Sequence, residues 1–264
     1  MGRWILLLLS VLLAGTAVAG SARTRRKKAR LRKERIERRD QAAAQRIRSD
    51  RKAKLELARQ DRSYRLGALK VNVVHGDITQ VPAEGLLTTA YFHKETMSFL
   101  WPETGVGYSI RYTSGNRYHT AIERALKYDK PLHDGQMIKA YGWRSAAGHR
   151  GRFADVVFIV DRLRKPLDGL VKEAMAHADQ VGYSTVSLPA LRLDKHSEQP
   201  TRGVEKTVLQ VAQRLAEGLK QHDQAKGDSS RVKEVSLVVF GDVPAFGHML
   251  NSALKRAGAV LEPE

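Results

Sequence analysis

LKVNVVHGDIT, residues Leu69 to Thr79, is an apolar run that ends in a turn and is followed by a second run, GLLTTA, at Gly85 to Ala90. Gly76, Asp77 and Pro82 punctuate the interval, so two strands with a turn between them are predicted. Downstream, YHTAIERALKY (Tyr118 to Tyr128) has helical spacing, whereas Gln136 to Tyr141 and DVVFIV (Asp155 to Val160) read as strands separated by a loop containing Gly, Arg and His. Leu167, Leu170, Val171, Ala174, Met175 and Ala178 share one helix face. STVSLPA (Ser184 to Ala190) is a strand closing near Pro189, and Val204, Val208, Val211, Leu215 and Leu219 mark a long amphipathic helix. EVSLVVF (Glu234 to Phe240) is another buried strand, followed by a helix over Ala245 to Arg256. Strands alternating with helices predict a three-layer α/β sandwich, a mostly parallel mixed sheet flanked by helices. Ligands of such sheets bind beyond the carboxyl ends of the strands, here His75 to Thr79, Ala90 to Asn116, Ala190 to Pro200 and Phe240 to Gly247.

Outside that pattern the composition changes abruptly. The 264 residues hold 46 Lys and Arg against 28 Asp and Glu, a formal charge of +18, and no Cys. Zero Cys excludes a disulfide framework, a thiol nucleophile and Cys-ligated metal sites. Between Ser21 and Arg65 there are 19 cations and six acids, so most of the excess charge sits in that stretch and the remainder is only mildly basic. Three sections are predicted: residues 1–20 as a hydrophobic anchor or signal peptide, 21–65 as a basic helical spacer, and 66–264 as the α/β domain.

Trp4 to Gly20 is 17 residues without a charge, the length of an h-region or a short membrane span. Eight cations follow it closely and only Arg3 precedes it, so an uncleaved anchor at residues 4–20 with its C-terminal domain in the cytoplasm is predicted. The alternative is secretion after cleavage near Ala19, where Ala17-Val18-Ala19 has the small-x-small form of a cleavage site. In the basic stretch, Arg30, Glu34 and Arg38 stand four apart, as do Lys33 and Glu37, the spacing of a solvated helix. Next to a span, residues 23–39 would lie against an anionic membrane surface. Nucleic-acid binding by this stretch is not favoured, because no aromatics interleave its cations.

The order VNVVHGDIT, GLLTTA, HTAIERAL, HDGQMIKAYG, VVFIV, STVSLPAL and VSLVVF resembles the macrodomain family, the ADP-ribose-binding α/β module, from about Leu69 to about Leu254. The resemblance implies binding of ADP-ribose or a related nucleotide, with Asp77 contacting the adenine amino group beside the Ile78 backbone. An Asx turn or helix cap is the purely structural use of the same Asp. Ala90, Tyr91 and Asn116 are further candidate ligand-binding residues, Arg192 and Lys195 would contact phosphate directly, and an aromatic against the adenine is implied at Phe240 or else Phe246. Where the family has an Asn-Ala-Ala-Asn-like sequence this chain has Thr88, Thr89, Ala90 and Tyr91, and the phosphate loop usually rich in Gly reads Arg192 to Gln199, with Asp194 and Glu198. Binding without family-type hydrolysis is therefore expected. The competing expectations are an ADP-ribosyl hydrolase with a rebuilt site using Asp77, His93 and Asn116, and a ligand-free scaffold.

No further chemistry emerges from spacing. The nine His residues lack metal-ligand spacing, and neither a metal nor a cofactor is expected. His93 and Glu95 fall on a rim loop as a base and acid, or simply as a solvated pair. Gly105 and Gly107 lack the second half of a nucleotide fingerprint and are read as a loop.

Overall fold

The computed structural model of the protein describes residues 61–90, 102, 105–128, 132–141, 148–192, 207–239 and 244–263. Eight strands form one sheet: β1 (Arg62–Leu66), β2 (Leu69–His75), β3 (Ala83–Ala90), β4 (Met137–Ala140), β5 (Phe153–Val160), β6 (Thr185–Pro189), β7 (Glu234–Val239) and β8 (Val260–Leu261), in the order β4-β5-β3-β6-β7-β2-β1-β8. Five of them, β5, β3, β6, β7 and β2, run parallel. Their carboxyl ends therefore share one edge of the sheet. β4 pairs antiparallel with β5, and β1 lies antiparallel between β2 and β8.

The helices described are α1 (Gly105–Ser114), α2 (Thr120–Tyr128), α3 (Leu167–Val181), α4 (Val208–Lys226) and α5 (Pro244–Arg256). Alternation along the strands divides the core between two faces. Leu87, Val157, Ile159, Leu188 and Leu237 pack with α3, α4 and α5, while Leu86, Val156, Phe158 and Val160 pack with Ile110 of α1 and Ile122 of α2. Period-two strands that are apolar on both faces must be covered twice, which is the physical origin of the three layers. Local signals set the helix ends: the Thr207 hydroxyl accepts from the Gln210 amide at the start of α4, and Gly182, at φ 97°, closes α3.

Three elements depart from expectation. The spacer does not extend to Arg65, because Arg62–Leu66 is a strand inside the sheet, with Tyr64 and Leu66 buried and Arg65 exposed. Two inward residues at period two are too few to stand out from dense charge. The buried Tyr64 hydroxyl donates to Asn251 Oδ1 at 3.0 Å, tying β1 to α5. β8 is two residues long, and α1 was read as loop. The expected anchor or signal peptide and residues 21–60 of the basic stretch lie outside the described residues, among which no helix is long and apolar enough to cross a membrane.

Candidate functional site at the carboxyl edge of the sheet

At the end of β2 the Gly76 amide donates to the Val239 carbonyl at 3.2 Å, holding the chain against β7. Gly76 then takes φ +143° with open space where a side chain would stand, a conformation that glycine adopts without a steric penalty. The turn delivers Asp77 to the surface. Its Oδ1 accepts from the Thr79 amide at 3.0 Å and so caps the 3-10 turn Ile78–Gln80, while Ile78 is fully buried on the α1 and α2 side of the sheet. Asp77 is thereby an exposed carboxylate on a pinned backbone. A carboxylate with one oxygen used as a cap retains acceptor capacity for an incoming N–H donor.

Two strands away, the ends of β5 and β6 are joined across β3 by a buried ion pair. Arg192 Nε reaches Asp161 Oδ2 at 2.7 Å and its NH2 group donates to Asp161 Oδ1 at 2.7 Å, with neither side chain exposed. Arg192 also donates to the Lys165 carbonyl at 2.9 Å, and Asp161 accepts from the Leu163 amide at 2.9 Å. A bidentate pair with these additional bonds is the geometry that offsets the cost of removing two charges from water. Arg192 and Leu163 both sit at positive φ, 64° and 58°, so the pair holds two loops in a conformation disfavoured for side-chain-bearing residues.

α1 lies on the same face of the sheet as Ile78. The Arg150 amide, just ahead of β5, donates to the Thr113 carbonyl at 2.8 Å, which ties the C-terminal end of α1 to the chain entering β5. Within the first turn of α1, a Cβ on Gly107 would stand 2.7 Å from Pro102, so glycine there permits close packing. His119, buried after α1 against Phe158 with ring centroids 5.0 Å apart, has its pKa lowered to about 4, by burial first and by the Arg111 charge second.

No family model matches the chain, and no curated protein matches it. Among solved structures, a mutant of the Oceanobacillus iheyensis macrodomain with ADPR superposes at a TM-score of 0.54 and 15% sequence identity, covering 75% of this chain and 98% of that one. The Oceanobacillus iheyensis macrodomain with ADP gives a TM-score of 0.54 and 15% identity over 75% of this chain and 96% of that one. The chain has the macrodomain fold.

Within the macrodomain fold the expected residues are distributed unequally. Asp77, Ile78 and Ala90 stand at the carboxyl edge, Ala90 as the buried last residue of β3. Asn116 stands in the turn after α1, where its Oδ1 accepts from Arg111 Nε at 3.1 Å. Arg192 departs from expectation, since its guanidinium is turned inward to Asp161 rather than presented to a phosphate. Phe246 is core, fully buried in α5. Tyr91, His93, Lys195 and Phe240 lie outside the described residues. Sequence reading missed Asp161 and the start of α1. The Asp immediately after DVVFIV was the available signal for the first, and Gly105-Val106-Gly107 before a period of apolar residues was the signal for the second.

Proposed function

We propose that this domain binds ADP-ribose or a related adenine nucleotide at the carboxyl edge of its sheet, without hydrolysing ADP-ribosylated protein, and that residues 4–20 tether it to a membrane with the domain in the cytoplasm. The observation that carries the binding reading is the exposed Asp77 carboxylate, fixed by the Gly76 turn and its cap on Thr79 at the end of a parallel strand. The fold supports it, because solved macrodomains of Oceanobacillus iheyensis are described with ADPR and with ADP. The expected absence of turnover rests on the sequence: Thr88 to Tyr91 contains no Asn, and Asp194 and Glu198 stand in the phosphate loop. Calorimetry of the full-length chain with ADP-ribose tests binding, and no heat at saturating ligand would leave the scaffold reading. Release of ADP-ribose from a mono-ADP-ribosylated protein would instead establish the hydrolase. The tether rests on the charge asymmetry around Trp4 to Gly20. Protease protection of the domain in sealed inside-in vesicles, with an uncleaved N-terminus, is the expected result, and a mature chain beginning near Gly20 would refute it.

A further inference from the structure

The two helical layers differ in charge and in what they expose. Along α3, α4 and α5 there are six cations against five acids, and none of the exposed large apolar or aromatic residues described there is aromatic. From Gly105 to Tyr128, on the other face, there are four cations, Arg111, Arg117, Arg124 and Lys127, against the single acid Glu123. Three tyrosines are exposed in that same short segment: Tyr108 at 45%, Tyr112 at 71% and Tyr128 at 73%. Tyr108 and Tyr112, one helical turn apart on α1, stack with centroids 6.2 Å apart and planes inclined by 22°. Arg111 lies between them in sequence and is held in place by Asn116 and the Pro102 carbonyl. The Arg150 amide bond to Thr113 brings a further stretch, with Arg150 and Arg152 exposed, against the end of α1.

Lys127 lies over the Tyr128 ring at 5.3 Å, so the platform is the stacked pair Tyr108 and Tyr112, and two exposed rings among cations fit a partner with flat π faces and negative charge. We propose that the outer face of α1 and α2 binds single-stranded nucleic acid, bases stacking on Tyr108 and Tyr112 while the cations hold the phosphate backbone. Stacking on aromatic rings requires accessible base faces and tolerates any base, so the surface selects single strands over duplexes without reading sequence. The basic stretch at 21–60 attracts phosphates of either form equally, and the aromatic platform is what separates the two.

The test measures fluorescence anisotropy of labelled oligothymidylate, about 20 nucleotides long, and of the matching duplex, titrated with the full-length chain. Changing Tyr108→Ala and Tyr112→Ala together alters no charge. It should weaken single-strand binding roughly tenfold or more while leaving duplex binding unchanged, the loss expected for base–aromatic stacking. Tyr108→Phe with Tyr112→Phe keeps both rings and should bind as the parent does. An alanine variant that matches the parent on single strands, an equal loss on single strand and duplex, or a loss in the phenylalanine variant would each overturn the proposal.

Discussion

Asp77 serves the fold as a cap, and it is the carboxylate proposed above to meet the ligand. Its Oδ1 caps the 3-10 turn, which fixes the backbone that carries it. Asp77→Ala should weaken ADP-ribose by about 1–3 kcal/mol, the cost of leaving a buried donor unpaired, and calorimetry on a variant with an unchanged thermal transition checks this. His119 makes a different kind of prediction. The folded protein holds the ring neutral down to about pH 4, whereas an unfolded His takes its proton near 6.5. Protons therefore favour the unfolded chain, and the stability from this residue is complete above about pH 6.5 and is lost as pH falls toward 4. The displacement corresponds to on the order of 3 kcal/mol. Urea unfolding across that window should show the parent losing stability more steeply than His119→Phe. His177 and His222 are lowered in the same direction, each by burial first, and add to the parent's slope.

Among the elements, α3 and α4 pack closely where Gly218 faces Asp168 and Val171. A Cβ on Gly218 would meet the Asp168 carbonyl oxygen at 2.6 Å and Val171 Cβ at 2.7 Å. Gly218→Ala gains about 1 kcal/mol of helix propensity, but its methyl must displace backbone, which outweighs the gain. A net destabilisation of about 1–3 kcal/mol is expected, read from the denaturant midpoint. The edge strand β4 is managed by charge. Inward-facing Lys139 pairs with Asp155 at 3.2 Å and lies over the rings of Tyr141 and Tyr183, at 4.5 and 5.0 Å. Burying that cation against another chain would forfeit the arrangement, so β4 is a poor template for edge-to-edge pairing. Burial first, then the hydrogen bond to Asp155, pushes the Tyr183 hydroxyl up, so it stays a donor.

For the molecule as a whole, the domain boundary matters more than its few residues suggest. β1 separates β2 from β8, buries Tyr64 and Leu66, and reaches α5 through Asn251. A chain beginning at residue 67 would expose the β2 edge and lose two core side chains, each contributing about 1.5–3 kcal/mol by burial. Calorimetric scanning should find no cooperative transition in that truncation, and a sharp one in a chain beginning at residue 56, where the compact unit starts. Equal melting of the two would show that β1 is dispensable.

Much of this architecture follows from local pattern. Apolar runs such as EVSLVVF and helical spacing such as that of Leu167 to Ala178 are periodic over one element, so they report strand or helix without knowledge of neighbours, and their alternation implies parallel strands whose carboxyl ends carry the candidate site. The turn at Gly76 and Asp77 is equally local and was legible for that reason. β1 and β8 were not, since their pairing partners come from opposite ends of the domain, Tyr64 opposite Val71 on one side and Leu261 on the other. The fate of the polar candidates was also decided only in three dimensions. Arg192 looks like a phosphate ligand in sequence, but the strand order sets it beside Asp161, 31 residues away, where a buried guanidinium must be neutralised. Asn116 was a candidate by its place in the chain, and the fold sets it against Arg111, whose guanidinium also donates to the Pro102 carbonyl, because a cation is satisfied by acceptors that only the packed turn brings together.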